Sequence, residues 1–372
     1  MRVALLCPYS LSRPGGVQGQ VLGLAAALGA AGHEAVVLAP ADDDLEVPGL
    51  APGAVVRLGG STGLRANGSV APVALGPGAA VRAVRAVRGG GFDVLHLHEP
   101  LAPGPGYACL LACALPKVGT FHRAGASVAY RLLGPVARPM ARRLAARCAV
   151  SAEARATAHH ALGGSYEIIG NGVDVDRFST APPAPTSGPT VLFVGRHEER
   201  KGLGVLLEAI SRLEPGLDLT VWVAGEGPDT ESLRRRHGAD ERLVWLGRID
   251  DAALASRLAG AHALCAPALR GESFGVVLLE AMAARAAVVA SDLPGFAAVV
   301  AGHGVLVPPG DVTALARAVE TVARDAATGT GWCAPAALDA AFAHASQWSM
   351  PTMAERYLAV YERVLAGERL AR

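Results

Sequence analysis

The sequence predicts an α/β protein built from two doubly wound domains, each with a mostly parallel sheet covered by helices. Three observations support this fold class. Short apolar runs alternate with longer helical patterns along the 372 residues. Several of the runs are continuously apolar, as expected of strands that helices cover on both faces. The alternation also restarts after a proline-rich stretch in the middle of the chain.

Nine runs are predicted strands, and their order fixes the domain boundary. They are residues 3–7, 35–38, 94–98, 148–151, 191–194, 220–224, 244–246, 264–267 and 288–291. The stretch 179–189 contains prolines at a density that neither helix nor sheet can continue. We therefore predict two Rossmann-like domains facing a central cleft, over residues 1–172 and 173–350. A terminal helix over 351–372 is expected to pack back on the first domain.

Composition excludes several classes of protein. With 51% hydrophobic and 18% charged residues the chain is globular, and much of its apolar content is alanine. No run approaches the roughly 20 strongly apolar residues of a membrane span. Six scattered cysteines without a Cys-x-x-Cys pair predict a reduced, cytoplasmic protein. A net charge of +1 argues against nucleic acid as a partner, so any attraction to an anionic surface must be local.

The first strand runs into a glycine pair ahead of an alanine-rich helix. Gly15 and Gly16 precede this helix, where glycine lets backbone N–H groups approach a phosphate. A tight strand-to-helix turn explains this segment, taken alone, about as well.

Two cations follow the strand at 191–194. Arg196 and Lys201 lie beyond its carboxyl end, the edge at which open α/β sheets bind ligands. Lys201 is one of only two lysines among 34 basic residues, which suggests a site that requires a compact ammonium. We interpret Arg200 as a solvated neighbour. The alternative for the whole segment is a surface run of mixed charge.

About seventy residues later, two carboxylates flank the start of a predicted helix. Ser273, Phe274 and Gly275 open the helix, whose free amides and dipole favour negative charge. Glu272 precedes it, and Glu280 lies further inside, at a depth suited to ribose hydroxyls. Cations and carboxylates in this arrangement fit a bound diphosphate and ribose. The structural alternatives are that Glu272 only stabilises the helix dipole and that Glu280 lies on a solvated face of the helix.

Two further patterns concern metals and membranes. His96 and His98 alternate at the end of a predicted strand, but the sequence shows no further cluster of ligand residues to complete a metal site. A zinc site is therefore not favoured. Arg82, Arg85 and Arg88 recur on one helical face, which suits either an anionic membrane surface or an ordinary charged face.

The whole chain resembles the retaining GT-B glycosyltransferases of family 4, and within them the bacterial phosphatidylinositol α-mannosyltransferases. The likeness rests on CPYSLSRPGGVQ, NGSV (67–70), FDVLHLHEP (92–100), TFH (120–122), NGVDVDRF (171–178), VGRHEERKG, GESFGVVLLEAMA and VVASDL. It implies a hexosyltransferase that needs no metal and no tightly bound cofactor. It further implies GDP-mannose as the donor and phosphatidylinositol, at the inner face of the plasma membrane, as the acceptor.

The resemblance also implies roles for individual residues. On the donor side, Gly16 would contact the distal phosphate, Arg196 and Lys201 the diphosphate, Glu272 the sugar hydroxyls, and Glu280 the ribose. Asp251 would lie near the base, with Ser273, Phe274 and Gly275 around the phosphates and His122 beside the transferred sugar. On the acceptor side, the residues would be Tyr9, Gln18, Asn67 and Ser69.

Several positions depart from the family pattern. Ala66, Pro72 and Ser127 replace residues that usually meet the lipid acceptor, and Leu254 replaces a lysine near the base. A soluble acceptor, such as an inositol phosphate or a natural-product aglycone, and another nucleotide sugar therefore remain open. So does a second class of enzyme, a nucleotide-sugar 2-epimerase, which would turn over donor without acceptor. A third class, a non-catalytic binder of sugar nucleotides, is disfavoured by the intact set of cations and carboxylates.

Overall fold

A computed structural model describes residues 1–13, 15–42, 47, 49–66, 69–125 and 137–371, with the backbone alone for 64–66 and 69–71. These residues form two compact units. Unit 1 comprises Met1–Gly172 and Met350–Arg372, and unit 2 comprises Val173–Ser349. Each unit is a parallel sheet covered by helices, which confirms the predicted fold class.

The described part of unit 1 contains a parallel sheet of seven strands in the order β3-β2-β1-β6-β7-β8-β9, and a separate antiparallel hairpin, β4-β5. The strands are β1 (Arg2–Leu6), β2 (Glu34–Ala39), β3 (Val55–Arg57), β4 (Thr62–Ala66), β5 (Ser69–Val73), β6 (Val94–His98), β7 (Lys117–Phe121), β8 (Ala146–Ala149) and β9 (Glu167–Ile168). The helices before residue 172 include α1 (Gly16–Ala30), α2 (Pro77–Gly89), α3 (Pro105–Ala112) and α4 (Ala152–Leu162).

The core of unit 1 has one apolar layer on each face of the sheet. Val3 and Leu5 of β1 belong to the layer that also holds α1, whereas Ala4 and Leu6 belong to the layer beneath α2 and α3. Successive side chains of a strand point to opposite faces, so a continuous apolar run supplies both layers. This accounts for the unbroken apolar run in the sequence.

Unit 2 repeats the plan with six described parallel strands in the order β12-β11-β10-β13-β14-β15. The strands are β10 (Thr190–Val194), β11 (Thr220–Ala224), β12 (Leu243–Gly247), β13 (Ala263–Ala266), β14 (Ala287–Ser291) and β15 (Val305–Val307). The helices are α5 (Val175–Ser179), α6 (Leu203–Ser211), α7 (Thr230–His237), α8 (Asp251–Gly260), α9 (Val276–Ala283), α10 (Pro294–Val300), α11 (Val312–Thr328) and α12 (Pro335–Ser346).

The last helix, α13 (Met350–Leu365), belongs to unit 1, where it packs against α1. Its residues Tyr357 and Tyr361 are fully buried in the layer that contains α1. In the described part of the chain, no helix combines the length and apolarity that crossing a bilayer requires.

All nine predicted strands are present, with ends displaced by at most two residues. The sequence reading missed β7, in which Lys117 and Gly119 interrupt the apolar run, and it missed the short strands β3, β4, β5, β9 and β15. Lys117 is nevertheless buried, because its ammonium turns back to donate to the carbonyl of Leu115 at 3.1 Å.

Candidate active site

In unit 2 the order of the strands reverses between β10 and β13. β11 and β12 extend the sheet on one side, and β14 and β15 extend it on the other. The loops after β10 and β13 therefore leave the same sheet edge side by side, which is where doubly wound folds form a ligand crevice. Arg196 and Lys201 lie on the first loop and Glu272 on the second.

Gly202 allows these two loops to touch. Its φ of +74° is in the left-handed region, and a Cβ there would lie 1.8 Å from the carbonyl oxygen of Pro267. Just before it, residues Glu199–Lys201 form one turn of 3₁₀ helix, and the carbonyl of Arg200 accepts the N–H of Leu269 at 2.8 Å. The close approach thus depends on the glycine and holds both loops in register.

A compact ionic cluster joins the two loops. Lys201 Nζ lies 2.7 Å and Arg200 Nη1 lies 3.1 Å from the same oxygen, Oε1, of Glu272. Arg200 Nε also donates to Glu198 Oε2 at 3.0 Å. Glu198 Oε1 contacts Arg196 Nη2 at 3.0 Å, an ion pair whose angles do not make it a hydrogen bond. The two predicted cations and Glu272 are therefore brought together.

The interpretation of Arg200 as a solvated neighbour is wrong. Its side chain is only 24% exposed, and its guanidinium bridges Glu198 and Glu272. Glu198 is the residue that sequence reasoning missed, with 7% of its side chain exposed. Residues 198–201 are four consecutive charged residues of mixed sign, and only the fold shows which of their side chains are buried.

The start of α9 faces this cluster through a tight turn. Gly271 and Gly275 both have positive φ, +78° and +98°. Phe274 is buried and packs edge-to-face on Trp348, so it anchors the turn. The first amides of α9 have no partner within the helix, and together with the helix dipole they favour an anion.

Glu280 lies just over one turn into α9 and is only partly exposed. Burial raises the pKa of its carboxyl to about 7, with Arg177 lowering that pKa and Asp251 raising it. Asp251 begins α8, contacts Arg177 at 3.5 Å and is 85% exposed. Glu280 can therefore change protonation near neutral pH, whereas Asp251 is a solvated surface carboxylate.

The sheet of unit 1 has its own reversal point, between β1 and β6. Gly16 begins α1 just beyond β1, and in the described part of the chain no atom outside its own stretch of backbone lies within 4 Å of where its Cβ would be. His122 follows β7, next to β6, and is buried. Both residues therefore lie at the sheet edge where a ligand crevice is expected.

The four predicted acceptor residues are placed less uniformly. Gln18 is buried, and its amide donates to the carbonyls of Ser10 and Arg13, so it holds the loop after β1. Tyr9 is partly buried beside that loop and forms a bridge with Val73 of β5. Ser69 begins β5, where the backbone alone is described. Asn67 lies outside the described residues.

Of the three arginines predicted on α2, two guanidiniums are tied to backbone oxygens. Arg82 donates to the carbonyl of Leu58 and Arg88 to that of Ala112. Arg85 has no such partner among the described residues, and all three side chains are exposed. Within the same part of the chain, no cluster of three His, Cys, Asp or Glu side chains is arranged to hold a metal ion.

Comparison with known proteins settles the family. The family model described as "Glycosyltransferase Family 4" matches residues 14–177, and the one described as "Glycosyl transferases group 1" matches residues 188–325. A phosphatidyl-myo-inositol mannosyltransferase of Mycolicibacterium smegmatis is 40% identical over 98% of this chain and 94% of its own length. The chain belongs to the phosphatidyl-myo-inositol mannosyltransferase family. It is therefore a glycosyltransferase of family 4.

Other members agree with this assignment. The mannosyltransferase of Propionibacterium freudenreichii is 39% identical over 80% of this chain and 78% of its own length. Among solved structures, a sucrose-phosphate synthase from Thermosynechococcus elongatus has a TM-score of 0.77 at 21% identity and covers 99% of this chain and 100% of its own. Anabaena HepE in complex with UDP has a TM-score of 0.73 at 20% identity and covers 97% of this chain and 100% of its own. At that identity these structures bear on the fold alone, which is GT-B.

The geometry of unit 2 allows the site to stabilise negative charge on a bound ligand. Three cationic side chains and the start of α9 converge on one edge of the sheet, with two carboxylates among them. Fixed positive groups of this kind stabilise negative charge that develops on a departing phosphate. In glycosyl transfer by this family, that charge develops on the leaving group.

Proposed function

We propose that this glycosyltransferase transfers mannose from GDP-mannose to the inositol ring of phosphatidylinositol, with retention of the anomeric configuration. The observation that carries the proposal is the convergence of Lys201, Arg200 and Glu272 at the reversal point of unit 2. Its relatives bear the name phosphatidyl-myo-inositol mannosyltransferase, which supports the sugar and the acceptor.

Within this proposal the donor binds to unit 2. Lys201 and Arg196 neutralise the diphosphate together with the first amides of α9, Ser273 to Gly275 surround the phosphates, and Glu280 binds the ribose hydroxyls. Glu272, already held at 2.7 Å by Lys201, is placed to accept hydrogen bonds from the sugar. Asp251 lies towards the base. Catalysis is then mainly positioning plus neutralisation of the departing nucleotide.

Unit 1 supplies the remaining contacts in this proposal. Gly16 approaches the distal phosphate, and among the described residues the space beside its Cα is open. His122 lies beside the sugar, and Tyr9, Gln18, Asn67 and Ser69 meet the acceptor, with Gln18 acting through the loop that it holds.

We also propose that α2 contacts the inner face of the plasma membrane. Val81 is exposed beside Arg85, so the helix presents both an apolar and a cationic side chain. Arg85→Gln should weaken co-sedimentation with vesicles that contain phosphatidylinositol, whereas Arg248→Gln, an exposed arginine of unit 2, should not. Equal binding by both variants would contradict this role.

A soluble acceptor is the second candidate, and Ala66 and Pro72 favour it because they replace residues of the lipid-acceptor pattern. Nucleotide release and labelled product should be followed with GDP-mannose, GDP-glucose and UDP-glucose. Each donor is tested with phosphatidylinositol vesicles, phosphatidylcholine vesicles or inositol 1-phosphate. Mannolipid formed only with GDP-mannose and phosphatidylinositol supports the proposal. Transfer to inositol phosphate alone, or conversion of donor without acceptor, contradicts it.

A further inference from the structure

Three histidine rings lie one against the next at the sheet edge of unit 1. The rings of His96 and His98 are 4.3 Å apart between centroids, and those of His98 and His122 are 5.2 Å apart and stacked. All three side chains are buried, and burial lowers the pKa of each ring, to about 3 for His96 and His122. The three imidazoles are therefore neutral at physiological pH, and each carries one ring proton.

Among the described residues, His96 is the one ring of the three with partners for both of its nitrogens. Its Nδ1 is 2.7 Å from the hydroxyl of Tyr361, and its Nε2 is 2.8 Å from the hydroxyl of Thr120. Hydroxyl groups can donate or accept, so His96 is satisfied in either tautomer. His96 therefore supports the stack without deciding where the protons of the other two rings lie.

The proton positions of His98 and His122 are coupled by one hydrogen bond. His98 Nδ1 lies 2.9 Å from His122 Nε2, so one of the two nitrogens carries a proton and the other accepts it. His98 Nε2 is buried and has no partner among the described residues. His122 Nδ1 has none there either, but His122 is the least buried of the three residues, 8% exposed against 2% for His98.

These contacts leave two arrangements of unequal cost. If His122 Nε2 donates, His98 must carry its own proton on the buried Nε2, where the N–H has no acceptor. If His98 Nδ1 donates, His98 Nε2 is a bare lone pair, and the proton of His122 lies on Nδ1 of the least buried ring, where a ligand at the sheet edge can accept it. Orphaned buried N–H groups are rarer in proteins than under-used acceptors. The second arrangement is therefore favoured.

We infer that His98 is a positioning residue that fixes His122 in its Nδ1–H tautomer, so that His122 offers a hydrogen-bond donor to an oxygen of the bound ligand. A second contact fixes the backbone from which the His122 side chain extends, because Glu99 Oε1 accepts the backbone N–H of His122 at 2.7 Å. Glu99 has a φ of +46°, in the left-handed region that residues other than glycine adopt uncommonly.

The inference rests on the proposed function for the identity of that oxygen, which is a hydroxyl or ring oxygen of the transferred sugar. His122 in this tautomer has no lone pair facing the ligand and cannot remove a proton through Nδ1. Its role is then to orient the sugar and not to act as a base.

The test uses the full chain labelled with ¹⁵N histidine and long-range ¹H–¹⁵N correlation spectra at pH 7.5. The His122 signals are assigned by their loss in His122→Gln. We expect Nδ1 of His122 to be of the protonated, pyrrole type and Nε2 to be of the unprotonated, pyridine type. A protonated Nε2 on His122 would overturn the inference, whether or not the protein transfers mannose.

Two variants separate positioning from simple packing. His98→Gln keeps an N–H donor for Nε2 and should keep the single Nδ1–H tautomer of His122. His98→Leu keeps bulk but removes that donor, so neither tautomer has a partner at Nε2, and we expect a mixture of the two forms in place of the single Nδ1–H form. Loss of one neutral hydrogen bond predicts a roughly tenfold lower kcat/KM for His98→Leu, largely recovered in His98→Gln. If both variants keep the wild-type tautomer, His98 only fills space and the inference fails. Failure of all variants and the wild type to transfer sugar, with the expected tautomer present, would count against the proposed function alone.

Discussion

Replacing Lys201 by methionine tests the ionic cluster most directly, because it removes a charge and keeps the length of the side chain. In the free protein, Lys201 Nζ lies 2.7 Å from Glu272 Oε1, and the two side chains are 27% and 13% exposed. Arg200 still contacts the same oxygen at 3.1 Å, so Glu272 keeps one cationic partner in the variant. We therefore expect less than about 1 kcal/mol of change in the free energy of unfolding.

The effect on transfer should be much larger. Two unit charges about 4 Å apart interact by about 4 kcal/mol at the effective dielectric constant of a protein surface. Glu272 neutralises part of the ammonium charge, so we expect about 2–3 kcal/mol to be lost against the departing diphosphate. That loss corresponds to a roughly 30- to 150-fold lower kcat/KM.

Arg270→Met is the matched control, since it removes one positive charge from the neighbouring loop. Arg270 pairs with Glu199 at 3.1 Å, but the two side chains are 62% and 73% exposed, so solvent screens the pair. The assay is nucleotide release with GDP-mannose and phosphatidylinositol vesicles, with thermal unfolding measured in parallel. Wild-type kcat/KM in Lys201→Met, or an equal loss in Arg270→Met, would refute the reasoning.

Three further predictions concern residues around the same site. Because the pKa of Glu280 is raised to about 7 in the fold, the folded protein binds more protons than the unfolded chain between about pH 4.5 and pH 7. The free energy of unfolding from urea titrations should therefore fall by up to about 3 kcal/mol over that range in the wild type and stay flatter in Glu280→Gln. Gly202→Ala should lower the melting temperature and abolish transfer, because its Cβ would meet the Pro267 carbonyl at 1.8 Å, whereas Gly216→Ala meets no atom within 4 Å and should change neither. Glu198→Gln should lower kcat/KM by roughly tenfold by loosening the cations it holds, and unchanged kinetics would show that Glu198 has no such role.

The sequence alone was sufficient for the fold class and for the positions of nine strands. Continuous apolar runs such as residues 3–7 must be covered on both faces, so they predict a parallel sheet between helices. The family follows equally directly, because the segments around Gly16, Lys201, Glu272 and Glu280 occur in the order that the resemblance requires. These inferences depend on local pattern and on spacing along the chain, which the sequence contains in full.

Tertiary structure decided which charged residues act together and where protons lie. Arg200 and Glu198 resemble their solvated neighbours in the sequence, yet the contact of two loops at the reversal point turns both inward. The partnership of His98 with His122 likewise requires β6 and β7 to be adjacent, across 24 residues of sequence. Side-chain pairing between strands and loops is a long-range property, and burial, which sets the pKa of Glu280, exists only once the chain has folded.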